Sequence, residues 1–366
     1  MEISQTHNVT FDTEESIITA TLSAPDELVM LMSSGNVIRF DCAEKKGEHL
    51  FSTKNSFNHE DGGFDLNAKS TIYTLDSIVV IVNDYKRHGF VHYPNKYKKL
   101  HLLRKDYHAD ISCYPISLFK NEEGTPHLIY GEAWNHLQIM NLDSRQILTA
   151  AKSLIEEDSE ERHLEFYKNH KEDNKLPWPR PYDYFFGKLK MSPDHKNFLS
   201  AGWAWGSSDV YNIYEVEHFI ENNRISEINI YGWEHSNRAV SWIDDETVAI
   251  AYNPIEEEDD DSLKDSPQEI HFYKVDGRKS EIEKKIQVPD LDIVNSKLHF
   301  NKNLNSIILL SDKSGVTVLS LDGEVLFQAE KFTPDIYNCG LNLFVKTANK
   351  TVIVYQLKQD KTANKK

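Results

Sequence analysis

The chain has 366 residues, of which 39% are hydrophobic, and its formal net charge is −17. This acidity argues against binding to nucleic acid or to an anionic membrane surface, because both depend on lysine and arginine side chains that neutralise phosphates. No segment approaches the ~20 consecutive apolar residues of a membrane-spanning helix. The first residues lack the basic and apolar regions of a secretory signal, so we expect a cytoplasmic protein. We also expect it to be a monomer.

The first predicted element is a single strand, residues 3–11, which has no partner in the early sequence. From Ser16 onward, four short β-rich runs follow one another, separated by turn residues at 25–26, 34–35 and 46–47. Val, Ile and Phe often alternate with other residues in these runs, a pattern that is typical of β-strands. The segment therefore predicts one four-stranded antiparallel sheet.

The same unit recurs along the chain. It is visible from Lys188 and clearest from Lys297, where Asn-Lys-Asn, Lys-Ser-Gly and Asp-Gly turns separate four strands. Units that fit less regularly occupy residues 75–104, 127–150 and 246–288. The spacing of about 40 to 50 residues between units is that of β-propeller blades.

The two ends of the sequence complete the predicted ring. After the sixth unit, residues 336–357 supply only three strands, so the isolated strand at 3–11 can serve as the outer strand of the last blade. Such closure leaves no gap between blades. We predict an all-β fold, a seven-bladed β-propeller of four-stranded antiparallel blades, as a single domain over 1–358 with a disordered tail at 359–366. The irregular units leave six or eight blades open as alternatives.

Turn residues carry a resemblance to a known superfamily. Ser192-Pro193-Asp194 is similar to the turn between the first two strands of WD40-like blades, and the Asp-Gly pairs at 276–277 and 322–323 resemble their third turns. The chain thus resembles the WD40-like β-propeller superfamily, as a divergent bacterial-type member that lacks the Trp-Asp dipeptides. This resemblance implies a scaffold or ligand-binding role and carries over no catalytic residue.

Strand order predicts that the two ends of the propeller differ. In a four-stranded antiparallel blade, the loop between the second and third strands and the connection to the next blade lie at the same end. At this loop-rich end fall the loops 83–90, 131–137, 202–209 and 253–268 and the connections 56–64, 104–111, 151–186 and 231–238. The opposite end has short turns. We therefore predict the functional surface at the loop-rich end, where the charged first part of the insertion 151–186 is expected to form a short helix or two.

Aromatic and histidine side chains are the candidate binding residues of the loop-rich end. They are Trp134, His136, Trp178, Tyr182, Tyr184, Trp203, Trp205, Trp233 and His235. Exposed aromatic residues are enriched in recognition surfaces because they bury a large area with few rotatable bonds. A second interpretation is that the proline-rich segment 175–187 packs its aromatics onto the blades as a cap. The sequence leaves both interpretations open.

Three of the blade connections share a histidine followed two residues later by Asp or Asn. These histidines are His59, His108 and His235. WD40-like blades often use a histidine in this connection to hydrogen-bond the backbone and join neighbouring blades. We favour that role over a metal site, because a metal site requires several of these histidines to converge.

No motif for catalysis or cofactor binding is present in the sequence. It lacks Gly-x-Ser-x-Gly, His-Glu-x-x-His, a phosphate-binding loop and a dinucleotide fingerprint. The acidic run 256–261 lacks the ligand spacing and turn glycine of a calcium loop, so we interpret it as a solvated loop. Cys42, Cys113 and Cys339 fit no zinc or disulfide spacing. We therefore expect no catalytic residue, no metal and no cofactor.

The favoured function is that of a non-catalytic binding or scaffold propeller, which recognises a protein or peptide partner through the loop-rich end. The alternative is a small-molecule-binding or hydrolytic propeller with a site at the channel mouth beneath the insertion. That alternative predicts histidines and carboxylates that converge on the innermost strands. A third alternative is a structural ring, in which all the candidate aromatics are buried. Neither nucleic acid nor a membrane is an expected partner.

Overall fold

The computed structural model describes residues 1–12, 14–54, 59–170, 181–206, 208–234, 238–252, 268–277, 279–288 and 296–359, with the backbone alone at 231–234. Within these residues the chain forms 27 strands and two helices. The strands belong to seven antiparallel sheets, each a blade of a seven-bladed β-propeller. The predicted fold class and blade count are therefore confirmed.

The first three blades follow the isolated strand β1 (Glu2–Thr10). Blade one contains β2 (Ile17–Ala24), β3 (Glu27–Met32), β4 (Asn36–Asp41) and β5 (Lys46–Ser52). Blade two contains β6 (Ser70–Leu75), β7 (Ile78–Asn83), β8 (His88–Tyr93) and β9 (Tyr97–Leu103). Blade three contains β10 (Ile116–Lys120), β11 (Pro126–Ala133) and β12 (His136–Asn141).

The last four blades continue in the same order. Blade four contains β13 (Phe185–Met191), β14 (Asn197–Ala204), β15 (Ser208–Glu215) and β16 (Ile228–Glu234). Blade five contains β17 (Val240–Trp242), β18 (Thr247–Tyr252), β19 (Glu269–Asp276) and β20 (Lys279–Gln287). Blade six contains β21 (Lys297–Asn301), β22 (Ser306–Ser311), β23 (Gly315–Ser320) and β24 (Val325–Ala329). Blade seven contains β25 (Ile336–Asn338), β26 (Leu343–Ala348) and β27 (Thr351–Lys358), together with β1.

Blade three departs from the regular plan at its outer edge. Its sheet contains three strands, and the fourth position holds only the isolated bridge between Met140 and Ile147. The chain then enters the insertion, where Ser153 and Glu157 donate backbone hydrogen bonds to Asn223 and Ile225 of blade four. The insertion therefore ties blade three to the segment that precedes β16 of blade four.

The ring closes between the two ends of the chain. β1 pairs antiparallel with β27, from Glu2 opposite Lys358 to Thr10 opposite Thr351. This pairing makes β1 the outer strand of blade seven, as the strand count predicted. The amide of Phe11 extends the contact by donating to the Lys350 carbonyl.

Apolar side chains fill the spaces between neighbouring blades. Every residue of β7 and of β22 is buried, because strands in the middle of a blade pack against neighbours on both faces. Between blades one and two, for example, Val29, Leu31 and Phe51 pack against Val79 and Phe90. The inner strands of successive blades contact one another around the ring axis. This packing fixes the loop-rich end as a rigid support for side chains.

Two helices interrupt the strands. Helix α1 (Ser159–Asn169) lies in the insertion, in agreement with the sequence, and none of its residues is buried. Helix α2 (Val216–Glu221) joins β15 to β16 and was not predicted; it buries Val216 and Phe219 against the core of blades three and four. No helix of the described ranges is long and apolar enough to cross a membrane.

Candidate binding surface

Five aromatic side chains meet at the loop-rich end, between blades two, three and four. Tyr107 belongs to the connection after β9, Trp134 to the turn between β11 and β12, and Phe185 to the start of β13. Trp203 is the last residue but one of β14, and Trp205 lies in the turn that follows this strand. We call these five residues the aromatic cluster. Three of them, Trp134, Trp203 and Trp205, are among the residues proposed from the sequence.

Phe185 lies at the centre of the aromatic cluster and is fully buried. Its ring stacks on Trp203 with centroids 3.7 Å apart and an interplanar angle of 9°. The centroid of Trp134 lies 4.3 Å from that of Phe185, and the centroids of Trp205 and Tyr107 lie 5.2 Å and 6.1 Å away. Offset-stacked and edge-to-face contacts of this kind stabilise aromatic pairs beyond simple burial.

A close approach of two backbones explains why Phe185 stacks on Trp203. The two residues are opposite each other in the β13–β14 ladder, and the register shifts between Phe185 and Lys188. A Cβ at Gly187 would lie 2.0 Å from the Ala201 carbonyl oxygen, and one at Gly202 would lie 2.1 Å from the Phe185 oxygen. Because only glycine lacks a Cβ, these two positions allow the contact that brings the rings together.

The aromatic cluster presents two of its rings to solvent. Tyr107 and Trp205 are each 48% exposed, whereas Trp134 and Trp203 are half-buried. Trp203 is fixed by a hydrogen bond from its Nε1 to Ser112 Oγ at 2.9 Å. The surface therefore combines two accessible rings with a buried aromatic support that holds them in place.

A cleft of about 490 Å³ adjoins the aromatic cluster. Its lining mixes basic, aromatic and apolar side chains, including Arg87, Lys105, Tyr107, Trp134, His136 and Pro181. The lining contains two basic residues, Arg87 and Lys105, and one acidic residue, Asp106. Arg87 is ion-paired with Asp61 at 3.1 Å. The cleft therefore suits a ligand that offers apolar or aromatic groups together with polar or charged groups.

His136, another residue proposed from the sequence, lies in the wall of this cleft. Its Nδ1 is 3.3 Å from Glu132 Oε2, and Gln138 donates to the same carboxylate oxygen at 2.8 Å. Burial lowers the pKa of His136 below its ordinary value, although the Glu132 charge acts in the opposite direction. The imidazole is therefore a neutral hydrogen-bonding group at pH 7.

Tyr182 and Tyr184 lie in the packed interior of blades three and four. The Tyr182 hydroxyl is 2.6 Å from that of Tyr214, and the Tyr184 hydroxyl lies 2.9 Å from the Ser200 carbonyl oxygen. Burial raises the pKa of both phenols well above the ordinary value. For these two residues the burial supports the interpretation that the proline-rich segment packs onto the blades.

The remaining residues proposed from the sequence are not described. Trp178 and His235 lie outside the described residues, and of Trp233 the structure describes only the backbone, in β16. The acidic run 256–261 and the tail beyond Gln359 also lie outside them.

Two members of the aromatic cluster, Tyr107 and Phe185, were not proposed as binding residues from the sequence. Tyr107 lies in the connection 104–111, which the sequence already placed at the loop-rich end, so its position along the chain could have identified it as a candidate. Phe185 carries no such signal, because its side chain belongs to a strand whose inward and outward residues the sequence does not distinguish.

The histidines of the repeated connection pattern do not share one location. His108 contacts the aromatic cluster, with its ring 5.4 Å from Phe185 and 5.5 Å from Trp205. His59 instead contacts His88 and His101 of blade two, with ring centroids 4.8 Å and 5.1 Å away. The ring of His59 thus lies in a histidine cluster that the sequence did not reveal, and the backbone-joining role of these histidines stays a prediction.

Comparison with known proteins gives no assignment. No family model and no curated protein matches this sequence. The fold and the geometry of the loop-rich end are therefore the basis for proposing a function.

Proposed function

We propose that the chain is a non-catalytic binding propeller that recognises a protein or peptide partner through the aromatic cluster and the adjoining cleft. The observation that carries the proposal is the pair of exposed rings, Tyr107 and Trp205, supported by the fully buried Phe185. Tyr and Trp side chains dominate the binding energy of many interfaces because they bury much area at a small entropic cost. A rigid support lowers that cost further.

The chemistry of the cleft defines the kind of partner. Aromatic-lined grooves bind proline-rich or apolar peptide segments, whose preferred extended conformation reduces the entropy lost on binding. Lys105 favours an acidic residue beside such a segment, since opposite charges improve specificity and association rate. The proposed ligand is therefore an extended peptide with aromatic or proline residues flanked by Asp or Glu.

The proposed superfamily, oligomeric state and location of the protein rest on the sequence and on one turn. The turn at Ser192–Asp194 joins the first two strands of blade four, where Ser192 donates to Asp194 at 2.6 Å and the Lys196 amide donates to the same carboxylate at 3.0 Å. This geometry supports the proposed WD40-like affiliation, whereas the proposed bacterial type and cytoplasmic location rest on the sequence alone. The strong net acidity supports a monomer whose partner is neither nucleic acid nor a membrane.

The alternative site at the channel mouth has less support. It predicts histidines and carboxylates that converge on the innermost strands, which are β2, β6, β10, β13, β17, β21 and β25. The histidines that do converge among the described residues are His88 and His101, on β8 and β9 in the outer half of blade two, and His59, in the connection from blade one. They are therefore not part of a channel-mouth site.

The binding proposal is tested with peptides selected on the full chain. A displayed library of random peptides is panned against the immobilised protein, and the enriched peptides are synthesised. Replacing both exposed rings, with Tyr107→Ala and Trp205→Ala, is expected to weaken their binding at least tenfold, because two large contact areas are lost. Fluorescence anisotropy of labelled peptides measures the dissociation constants.

Leu326→Ala is the matched control. Leu326 is 43% exposed, on the outer strand of blade six, so its loss removes exposed apolar surface without touching the aromatic cluster. The control is expected to bind the peptides like the unmodified chain. Enriched peptides that bind the double variant as tightly as the control would contradict the proposal, as would a selection that enriches no peptide.

A further inference from the structure

Three histidines and one aspartate meet beside the interface between blades one and two. His88 begins β8 and His101 lies on β9, whereas His59 and Asp61 belong to the connection from blade one. Each histidine contributes one ring nitrogen to the group, and these three nitrogens lie within 4.8 Å of one another. Within the described part of the chain, no other group of three or more His, Cys, Asp or Glu side chains brings its ligand atoms together in this way.

The ladder between β8 and β9 places two of these histidines side by side. Phe90 is opposite His101 in the register, and His88 lies two residues before Phe90, on the same face of the strand. His88 and His101 are thus diagonal neighbours across the two strands. Their rings are nearly parallel, with an interplanar angle of 7° and centroids 5.1 Å apart.

Asp61 determines which nitrogen of His88 carries the proton. His88 Nε2 lies 2.9 Å from both carboxylate oxygens of Asp61. An ionised carboxylate only accepts hydrogen bonds, so Nε2 is the protonated nitrogen and Nδ1 keeps a free lone pair. Metal-binding histidines commonly have this arrangement, in which a carboxylate holds the nitrogen that does not bind the metal.

The lone pair of His88 Nδ1 faces His101 Nε2 at a distance of 2.9 Å. In the absence of a metal ion, His101 donates its Nε2 proton to His88 Nδ1 across this gap. An ion at the usual Zn–N distance of about 2.0–2.1 Å holds two tetrahedral nitrogen ligands about 3.3 Å apart. Binding through His101 Nε2 requires the proton of that ring to move to Nδ1, which leaves the imidazole neutral and frees the Nε2 lone pair. A small opening of the pair, together with an inward movement of the His59 side chain, would then place three nitrogens around one ion.

The chemistry of the ligand set suits a transition metal, because the cluster offers three imidazole side chains. Neutral imidazole suits Zn²⁺, Cu²⁺ and Ni²⁺, whereas Mg²⁺ and Ca²⁺ prefer oxygen ligands.

We propose that His59, His88 and His101 bind one divalent transition-metal ion, for which Zn²⁺ is the best fit, and that Asp61 orients His88 toward it. Three protein ligands leave one tetrahedral position for water or for a group of a bound molecule. The ion would join the connection from blade one to the outer strands of blade two. This site is separate from the aromatic cluster, so it does not depend on the proposed binding of a peptide.

Metal binding by the full chain tests this proposal directly. The protein is treated with chelator, dialysed and titrated with Zn²⁺ in competition with a chromophoric chelator, and the bound metal is counted by atomic absorption. We expect one Zn²⁺ per chain and a higher melting temperature when it is bound. His59→Ala and His101→Ala are each expected to weaken binding at least 100-fold, and Asp61→Asn by about 10 to 100-fold, as is usual for a residue that orients a ligand.

His170→Ala is the matched control, because His170 is an exposed histidine at the end of α1. This variant is expected to bind Zn²⁺ like the unmodified chain, and Mg²⁺ is expected to leave the melting temperature unchanged. The proposal is overturned by less than one Zn²⁺ per folded chain at saturation. It is also overturned if His59→Ala and His101→Ala, both folded by circular dichroism, bind Zn²⁺ with unchanged affinity.

Discussion

At the scale of single residues, Lys190 shows the conflict between burial and charge most directly. It lies on the inner strand β13, and its ammonium donates to the carbonyl oxygens of Val240 and, at 3.1 Å, of Leu298. Burial lowers the pKa of Lys190 to about 7, and the charge of Lys188 acts in the same direction. A neutral amine still has two protons, so both carbonyls can remain hydrogen-bonded after the charge is lost.

We predict that the depressed pKa of Lys190 makes the stability of the chain rise with pH. Below pH 7 Lys190 is protonated in both the folded and the unfolded chain, so folding carries the full free-energy cost of burying its charge. Between pH 7 and 10.5 the unfolded chain binds more protons at this site than the folded chain, so the free energy of unfolding increases with pH. Lys190→Met removes this contribution, and its urea unfolding is expected to depend less on pH between 7 and 9.

The exposed residue Lys302, in the turn between β21 and β22, provides the comparison. Lys302→Met is expected to keep the pH dependence of the unmodified chain. Identical slopes for Lys190→Met and the unmodified chain would show that Lys190 does not titrate in this range.

At the scale of elements, the contact between β13 and β14 positions the binding surface. A Cβ at Gly187 would lie only 2.0 Å from the Ala201 carbonyl oxygen, so no larger residue fits there without a shift of the backbone. Gly187→Ala must separate the strands, at a cost of about 1–3 kcal/mol of stability, as is typical of overpacking. We also expect it to weaken the binding of the selected peptides, because the stack of Phe185 on Trp203 would be displaced. Urea unfolding measures the stability, fluorescence anisotropy measures peptide binding, and near-ultraviolet circular dichroism reports the displacement of the aromatic stack.

Gly47 is the matched position on β5. A Cβ there would lie 3.6 Å from the Phe40 ring, which is an ordinary contact. Gly47→Ala is therefore expected to change stability by no more than about 0.5 kcal/mol and to leave the aromatic signal intact. A Gly187→Ala variant that behaves in the same way would show that the close approach is not needed.

The elements themselves could be predicted where local signals are strong. Turn residues and apolar runs place the strands of blades one, four and six, because their patterns are set by neighbours in sequence. Helix α2 was missed because six residues with two buried side chains form no visible helical period. The sequence left open whether Tyr182 and Tyr184 are exposed or packed onto the blades, since an extended segment shows no sign of which side chains face the blades.

At the scale of the whole molecule, closure of the ring depends on β1. Deleting residues 1–12 would leave the edge of β27 unpaired, and open edges of this kind promote association between chains. We expect the truncated chain to melt at a lower temperature and to form oligomers in analytical ultracentrifugation. A synthetic peptide of residues 1–12 is expected to bind and restore the monomer, whereas a scrambled peptide of equal composition should not. Equal melting temperatures with and without β1 would contradict this role.

The ring could be predicted from the sequence because counting strands requires no three-dimensional information. The positions at which side chains converge could not be predicted from the sequence. Tyr107, Trp134 and Phe185 come from two loops and the start of a strand, and their distances depend on how the blades tilt against one another. His101 lies on an outer strand, where a polar residue has no special meaning until His59 and His88 are seen beside it.

The pairing of β1 with β27 also orders events in time. β1 precedes every other strand that the structure describes, and its partner β27 ends at Lys358, so blade seven cannot be completed until synthesis reaches residue 358. At 5–20 residues per second, β1 waits roughly 20 to 70 seconds for its partner. Blades one to six can form during that interval, whereas closure of the ring must wait for β27.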